Sequence, residues 1–315
     1  MSKTGLSPSS IILVDKPLDF TSFDVVACVR GALKTAAVGH LGTLDPKATG
    51  LLVLFSGGAT KLIQYFMGLD KRYSAEITFG GTTPTDDSET EPSATPGCPP
   101  PPSLQDIETL VTSRFTGTIQ QVPPIYSAVK IKGCPAYKLA RRGKAADIEP
   151  RTVTIHSFDM IRYEYPVLTV NCRVSSGAYI RSLARDLGAA LGTGAYLSAL
   201  RRSQVGQWRI EDAVGVKPLP LNAAVPVSTA LRGILTQVDL NAAQVEDLMN
   251  GIFVEEADVK TIEVAGRDRA AEIGNNRTDR KPLPFIGVHN GQAAFILERR
   301  LNALGRNALK PAGRL

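Results

Sequence analysis

Cysteine and histidine are scarce in this chain of 315 residues, with four of the first and three of the second. Cys28, Cys98, Cys134 and Cys172 stand far apart, with no C-x-x-C pair and no histidine cluster nearby. That spacing excludes the common zinc frameworks and reads as reduced, cytosolic thiols. Long apolar runs are missing as well. The opening "MSKTGLSPSSIILVDKP" offers an apolar run of only four residues, and no later segment approaches the roughly 18 needed to cross a bilayer. A soluble, cytoplasmic protein without a membrane partner is expected. No internal repeat is present. A net acidic balance is lacking too: the formal charge is +6 and the pI about 9.1. Such an excess suits an anionic partner, nucleic acid among them, although it also occurs in enzymes that never touch one.

What is there begins with 43% hydrophobic residues, enough for a sizeable core. "IILVDKP" reads as a short strand stopped by Pro17. "TSFDVVACVRGALK" reads as a helix, with Thr21 and Asp24 in capping-box spacing and Val25, Val29 and Leu33 on one face. "GLLVLFSGGATKLIQYFMG" predicts a buried strand and then a helix. "RYSAEITF" predicts a strand with Tyr73, Ala75, Ile77 and Phe79 on one face. Residues 81–103 carry seven prolines and nothing periodic, so they read as a long mobile loop inside one domain. "SLQDIETLVTSRF" then predicts a helix capped by Ser103 and Asp106, with Leu104, Ile107 and Val111 on one stripe. "VLTVNCRV" alternates as a strand, and the turn "SSGAY" leads into a helix striped by Ile180, Leu183, Leu187 and Leu191. After the Pro- and Ala-rich stretch 214–230, two short strands joined by Asn290-Gly291 suggest a small β-rich C-terminal domain.

Three stretches could carry chemistry. In "GHLGTLDPKATGLLVL", Asp45 followed by Pro46 has the form of an N-cap and first residue of a helix, the reading this stretch favours when taken alone; the other is a carboxylate that Pro46 holds in an extended or turn conformation and that does chemistry. His40 in the same stretch has no acids or cysteines around it that would make a metal site. In "VPPIYSAVKIKGCPAYKLARRGK", Lys130, Lys132, Lys138, Arg141, Arg142 and Lys144 are interleaved with Tyr126 and Tyr137, and no acid occurs from 130 to 144. Cations for phosphates and aromatic faces for bases make an RNA platform, while a solvated basic loop would have the same composition. In "SSGAYIRSLARD", Arg181 falls in the first turn of its helix, where the dipole disfavours a cation. Its partner is either a carboxylate of the chain or a phosphate of a ligand, unless the side chain is merely exposed.

The motifs "GHLGTLDPKATGLL", "KRYSAEITFG", "VPPIYSAVKIKGCPAYKLARRG" and "VSSGAYIRSLARDLGAALGTGAYLSALRR" resemble, in order, those of the bacterial TruB-type tRNA pseudouridine synthases. The resemblance runs over about residues 10–214. It implies an α+β fold: a catalytic domain around a bent, largely antiparallel mixed sheet flanked by helices, spanning 1–231. The segment 124–152 would be an RNA-gripping insertion in it, and 232–315 a small β-rich, PUA-like domain. It implies isomerisation of uridine 55 in the T arm of tRNA to pseudouridine, with no cofactor and no metal. By position, Asp45 matches the catalytic aspartate, Tyr73 the tyrosine that stacks on the uracil, and Arg181 the arginine paired with the aspartate. His40 matches the histidine that fills the space of the extruded base, and Tyr179 a residue of the same pocket. Lys130, Lys132, Lys138, Arg141 and Arg142 match the RNA grip. A monomer acting on the T-arm stem-loop is expected.

One departure stands out. The family's T-D-T-x-D-x-x-G run appears here as "TPTDDSET", with Pro84 in place of the first aspartate and no closing glycine. Two further readings stay open on the residues alone: an RNA-folding chaperone, and a hydrolase with paired carboxylates, for which this motif supplies only one aspartate.

Overall fold

The computed structural model describes residues 9–131, 133–140, 148–220, 223–263 and 283–315. It is an α+β protein that divides into two compact units. One comprises 45–50 and 70–205, the other 1–44, 51–69 and 206–315.

The first unit is built on a strongly hydrogen-bonded, mostly antiparallel sheet. Lys71–Phe79 lies between Ala195–Val205 and Val167–Val174, and Arg151–Glu164 and Gly117–Gln121 follow outward. The period-2 pattern accounts for these strands. Tyr73, Ala75, Ile77 and Phe79 are all buried, and so are Leu168, Val170, Cys172 and Val174 on the neighbouring strand. Each such aliphatic side chain, fully withdrawn from water, stabilises the fold by about 1.5–3 kcal/mol. Burial pushes the Cys172 thiol up to about 12, as suits an inert structural cysteine.

Helix Ile180–Ala190 buries Ile180, Leu183 and Leu187, as its stripe predicts. Helix Leu104–Arg114 begins with the predicted Ser103/Asp106 capping box, but only Ile107 and Val111 of its stripe are buried. Leu104, in its first turn, is 45% exposed.

The Pro-rich segment 81–103 differs from the expected mobile loop. Gly81–Thr82 pairs with Ser93–Ala94, Thr95 donates its N–H to the Gly80 carbonyl, and Tyr163 donates its hydroxyl to the Pro102 carbonyl. A segment without a periodic apolar face is held here by side-chain and backbone hydrogen bonds, which leave no hydrophobic pattern in the sequence.

In the second unit, strand Ser10–Lys16 ends before Pro17 and helix Ser22–Leu33 carries the predicted Thr21/Asp24 capping box. The expected helix after Ser56 is shorter than predicted: a 3₁₀ turn over Gly57–Leu62 and then one α turn, Ile63–Phe66. A separate six-stranded sheet takes its strands from residues 237–314. Its hairpin of Phe285–His289 and Gln292–Leu301 turns at Asn290 and Gly291, both with positive φ (51° and 74°), the conformation that Asn-Gly favours. Among the described residues, no helix is long and apolar enough to cross a membrane.

Candidate active site

Asp45 starts no helix. The Ala48 N–H donates to the Asp45 carbonyl at 3.1 Å, closing a β-turn with Pro46 at its second position, and the chain runs straight into strand Ala48–Ser56. The helix-cap reading therefore fails and the turn reading holds. The cause lies downstream: "LLVLF" is apolar on both faces, and Leu51–Phe55 is fully buried, which suits a strand inside a sheet. The start of this strand pairs in parallel with Leu200–Arg202. At Gly50 a Cβ would run into the backbone of Arg202, and φ is +104°, so only glycine permits the approach.

Arg181 faces this turn. Its Nε lies 3.1 Å from Asp45 Oδ2, and its Nη2 donates to Asp45 Oδ1 at 3.2 Å, a two-pronged grip that fixes the carboxylate in plane as well as in position. Nη1 donates to the Thr85 carbonyl at 3.0 Å and Nη2 also to the Tyr126 carbonyl at 3.0 Å. The Arg181 side chain is 6% exposed whereas that of Asp45 is 35% exposed. The cation is thus spent inside the protein while the carboxylate stays open to a ligand. A buried guanidinium in the first turn of a helix is costly unless its charge and its donors are matched.

Asp87 supplies the rest of that match. Its Oδ2 lies 3.7 Å from Arg181 Nη1, and its Oδ1 accepts from Thr85 Oγ1 at 2.7 Å and from the Glu89 N–H at 3.0 Å. Next to it, Asp86 (φ 60°) accepts from Arg185 Nη1 at 3.0 Å. Burial raises the Asp86 carboxyl above its ordinary value even with Arg185 beside it. Neither aspartate stood out in the sequence as a site residue. The signal available was the departure "TPTDDSET" itself, two adjacent acids in a stretch with no other structural reason for them.

Tyr179 is the N-cap residue of the same helix and is tied to Gln121 twice: its N–H donates to Gln121 Oε1 at 2.8 Å, and Gln121 Nε2 donates to its carbonyl at 3.1 Å. Burial pushes its phenol above the ordinary value, while Arg181 and Asp45 act on it in opposite directions. Tyr73 is buried in strand Lys71–Phe79, in register with Cys172 on one side and Arg202 on the other. Asp45, Arg181 and Tyr179 are thus brought together, joined by Asp87.

Tyr73 is placed within the sheet of the same unit, and His40 ends strand Val38–His40 in the other unit, half-buried. Of the basic segment, Lys130 begins strand Lys130–Ile131, and Lys138 is exposed in helix Ala136–Ala140. Lys132, Arg141 and Arg142 lie outside the described residues. A small apolar cluster of Val129, Ala136 and Ile148 packs against Tyr179 and so fastens this segment beside the site. Among the described residues, no group of acids, histidines and cysteines could hold a metal ion.

The fold is shared with a chain of a Cbf5–Nop10–Gar1 complex, at a TM-score of 0.64 and 22% identity over 96% of this chain and 84% of that one. In sequence, the family model for the TruB family pseudouridylate synthase N-terminal domain matches residues 30–180. The model for the tRNA pseudouridylate synthase B C-terminal domain matches residues 181–240. The two family models together define the class, a pseudouridine synthase.

Within that class the chain belongs to the TruB family. It is 41% identical to the tRNA pseudouridine synthase B of Opitutus terrae over 67% of this chain and 88% of that one. With that of Streptomyces avermitilis it shares 38% over 87% of this chain and 92% of the relative. The match to the Bifidobacterium longum subsp. infantis protein, at 42%, spans 65% of each chain.

Proposed function

We propose that this protein converts uridine 55 in the T arm of tRNA to pseudouridine, with Asp45 as the reacting carboxylate. The observation that carries the reading is the asymmetry of the pair: Arg181 is buried and fully engaged, while Asp45 is half-open on a rigid turn. Pseudouridine formation breaks the N1–C1′ bond, turns the uracil and rejoins it through C5. No electrons enter or leave, so one aimed carboxylate suffices to attack C1′ or C6 or to take a sugar proton. The target base must leave its loop to reach the carboxylate. Tyr73 holds the flipped ring, His40 fills the space it leaves, and Tyr179 lines the pocket. Lys130, Lys132, Lys138, Arg141 and Arg142 engage the phosphates. Supporting this grip, Lys138 is exposed, and the segment is packed onto Tyr179. The substrate is taken up by a monomer in the cytoplasm.

The chain is divided functionally into a catalytic part, 1–231, and a small PUA-like part, 232–315. The separate sheet drawn from 237–314 supports that division.

The test is Asp45→Asn, which keeps the shape of the side chain and removes its charge. Pseudouridine yield on a T-arm stem-loop should fall to background, while RNA affinity by filter binding stays within about threefold. An unchanged yield would remove Asp45 from the chemistry. A protein that still speeds tRNA folding as the wild type does, with no loss traceable to pseudouridine, would favour the chaperone reading instead.

A further inference from the structure

Strand Gly117–Gln121 lies at the edge of the large sheet, and four of its five residues are exposed or half-buried. The fifth, Gln121, is 2% exposed. A buried amide costs free energy unless its donor and its acceptor are both matched. Gln121 turns both on the backbone of one residue 58 positions away: it accepts the Tyr179 N–H at 2.8 Å and donates to the Tyr179 carbonyl at 3.1 Å. A side-chain amide offers the same donor and acceptor as a peptide group. Tyr179 is extended (φ −110°, ψ 117°), so Gln121 pairs with it as a neighbouring strand would.

This clamp sits where the helix that carries Arg181 begins. The Tyr179 side chain does not cap that helix. The chain after Gln121 holds it instead: Ser182 Oγ donates to the Val122 carbonyl at 2.8 Å, Arg185 Nη2 donates to the same carbonyl at 2.9 Å, and Arg181 Nη2 donates to the Tyr126 carbonyl. Val122 and Tyr126 contribute only backbone oxygens, which any residue would supply. Gln121 contributes its side chain, so it is the position at which the sequence sets the clamp.

We propose that Gln121 is a positioning residue for pseudouridine formation: by holding the Tyr179 backbone it fixes the Tyr179 ring and the helix turn that carries Arg181, and through Arg181 the aim of Asp45. It acts through these residues and touches neither base nor sugar. Arg181 reaches Asp45 at 3.1 and 3.2 Å, and hydrogen bonds of this kind weaken steeply when their angles are lost. Misplacing a reacting group by about 1 Å costs on the order of 100-fold in rate. RNA affinity, carried by the basic segment, does not depend on that aim. The inference rests on the pseudouridine synthase reading of the same site.

The test follows single-turnover pseudouridine formation on a T-arm stem-loop with enzyme in saturating excess, where a misfolded fraction leaves the rate constant unchanged. Gln121→Met removes both bonds, and its rate should fall on the order of tenfold to 100-fold while affinity by filter binding stays within about threefold. Gln121→Glu adds a readout that simple packing would not move. A neutral carboxyl has a donor and an acceptor, as the amide does, whereas the ionised form only accepts and would face the Tyr179 carbonyl without a proton. Burial favours the neutral form, so the ratio of the Gln121→Glu rate to the wild-type rate should lie within about threefold of one near about pH 6 and fall on the order of tenfold by about pH 8. A ratio that does not change with pH would overturn the clamp, and it decides alone if Gln121→Met does not fold. A folded Gln121→Met with a wild-type rate, or with affinity reduced as much as rate, would overturn it too. Wild-type protein that forms no pseudouridine would sink the functional reading and this inference with it, whereas an active wild type beside unaltered variants sinks this inference alone.

Discussion

Arginine is used in two contrasting ways in this protein. In helix Ile180–Ala190, Arg181 is buried and Arg185 half-buried, and they are matched with Asp45, Asp86 and Asp87 across long stretches of chain. On the C-terminal sheet, Arg299 pairs with Glu256, Arg300 with Glu298 and Arg306 with Glu255, and all three arginine side chains are more than half exposed. The distances are alike, but the consequences are not. Water and salt screen the outer pairs, and each contributes within about 1 kcal/mol. Inside, a guanidinium that loses a partner keeps its desolvation penalty, so the inner set dictates where Asp45 points.

The largest effect that would sharpen this contrast is expected from Arg181→Lys. Lysine keeps the charge but lacks the fork that reaches Asp45 Nε-to-Oδ2 and Nη2-to-Oδ1 while also meeting two carbonyls. Single-turnover pseudouridine formation should slow by on the order of 100-fold, as expected for a misaimed reacting group. A rate within threefold of wild type would show that charge alone is enough.

A smaller effect is expected at Asp86. Because burial raises its carboxyl in the folded protein, the folded state binds its proton more tightly than the unfolded chain does. As pH rises past the ordinary value of 3.8, the unfolded chain releases that proton first. This contribution to stability then declines until the folded carboxyl ionises, and is flat above. Asp86→Asn should remove that decline from urea midpoints measured against pH. An unaltered pH profile would mean that Arg185 outweighs burial at this site.

The smallest effect belongs to the outer set. Glu256→Gln should change unfolding free energy by less than about 1 kcal/mol, and the difference should vanish in high salt. A larger, salt-resistant loss would erase the distinction between the two regions.

These differences mark the limit of what could be read in the sequence. The alternation of "RYSAEITF" and "VLTVNCRV" and the capping boxes at Thr21 and Ser103 are local patterns, and they appear in the structure as read. Arg181 could be singled out because a cation at a helix start conflicts with the dipole, a local misfit that called for a partner. The identity of its partners was not local. Arg185 and Asp86 are 99 residues apart, and Arg181 and Asp45 are 136 apart. Asp86 and Asp87 lie in a Pro-rich stretch with no periodicity, where nothing but the fold assigns them a purpose. Asp45 failed locally in another way, since Asp-Pro read alone favours a helix start and the chain forms a turn instead. The two-faced apolar run after it decided the matter through sheet pairing.

Gly50 carries no side chain at all, yet the strand leaving the Asp45 turn can lie against Arg202 only because nothing projects from its Cα. In a saturation screen scored by pseudouridine yield, this position should tolerate as few replacements as the carboxylate five residues before it. The cause would be steric throughout, and therefore indifferent to whether the incoming side chain is polar, charged or apolar. A functional map drawn from such a screen would light up a residue that has no reacting group of its own. The turn that carries Asp45 is held in place by an empty space as much as by any bond.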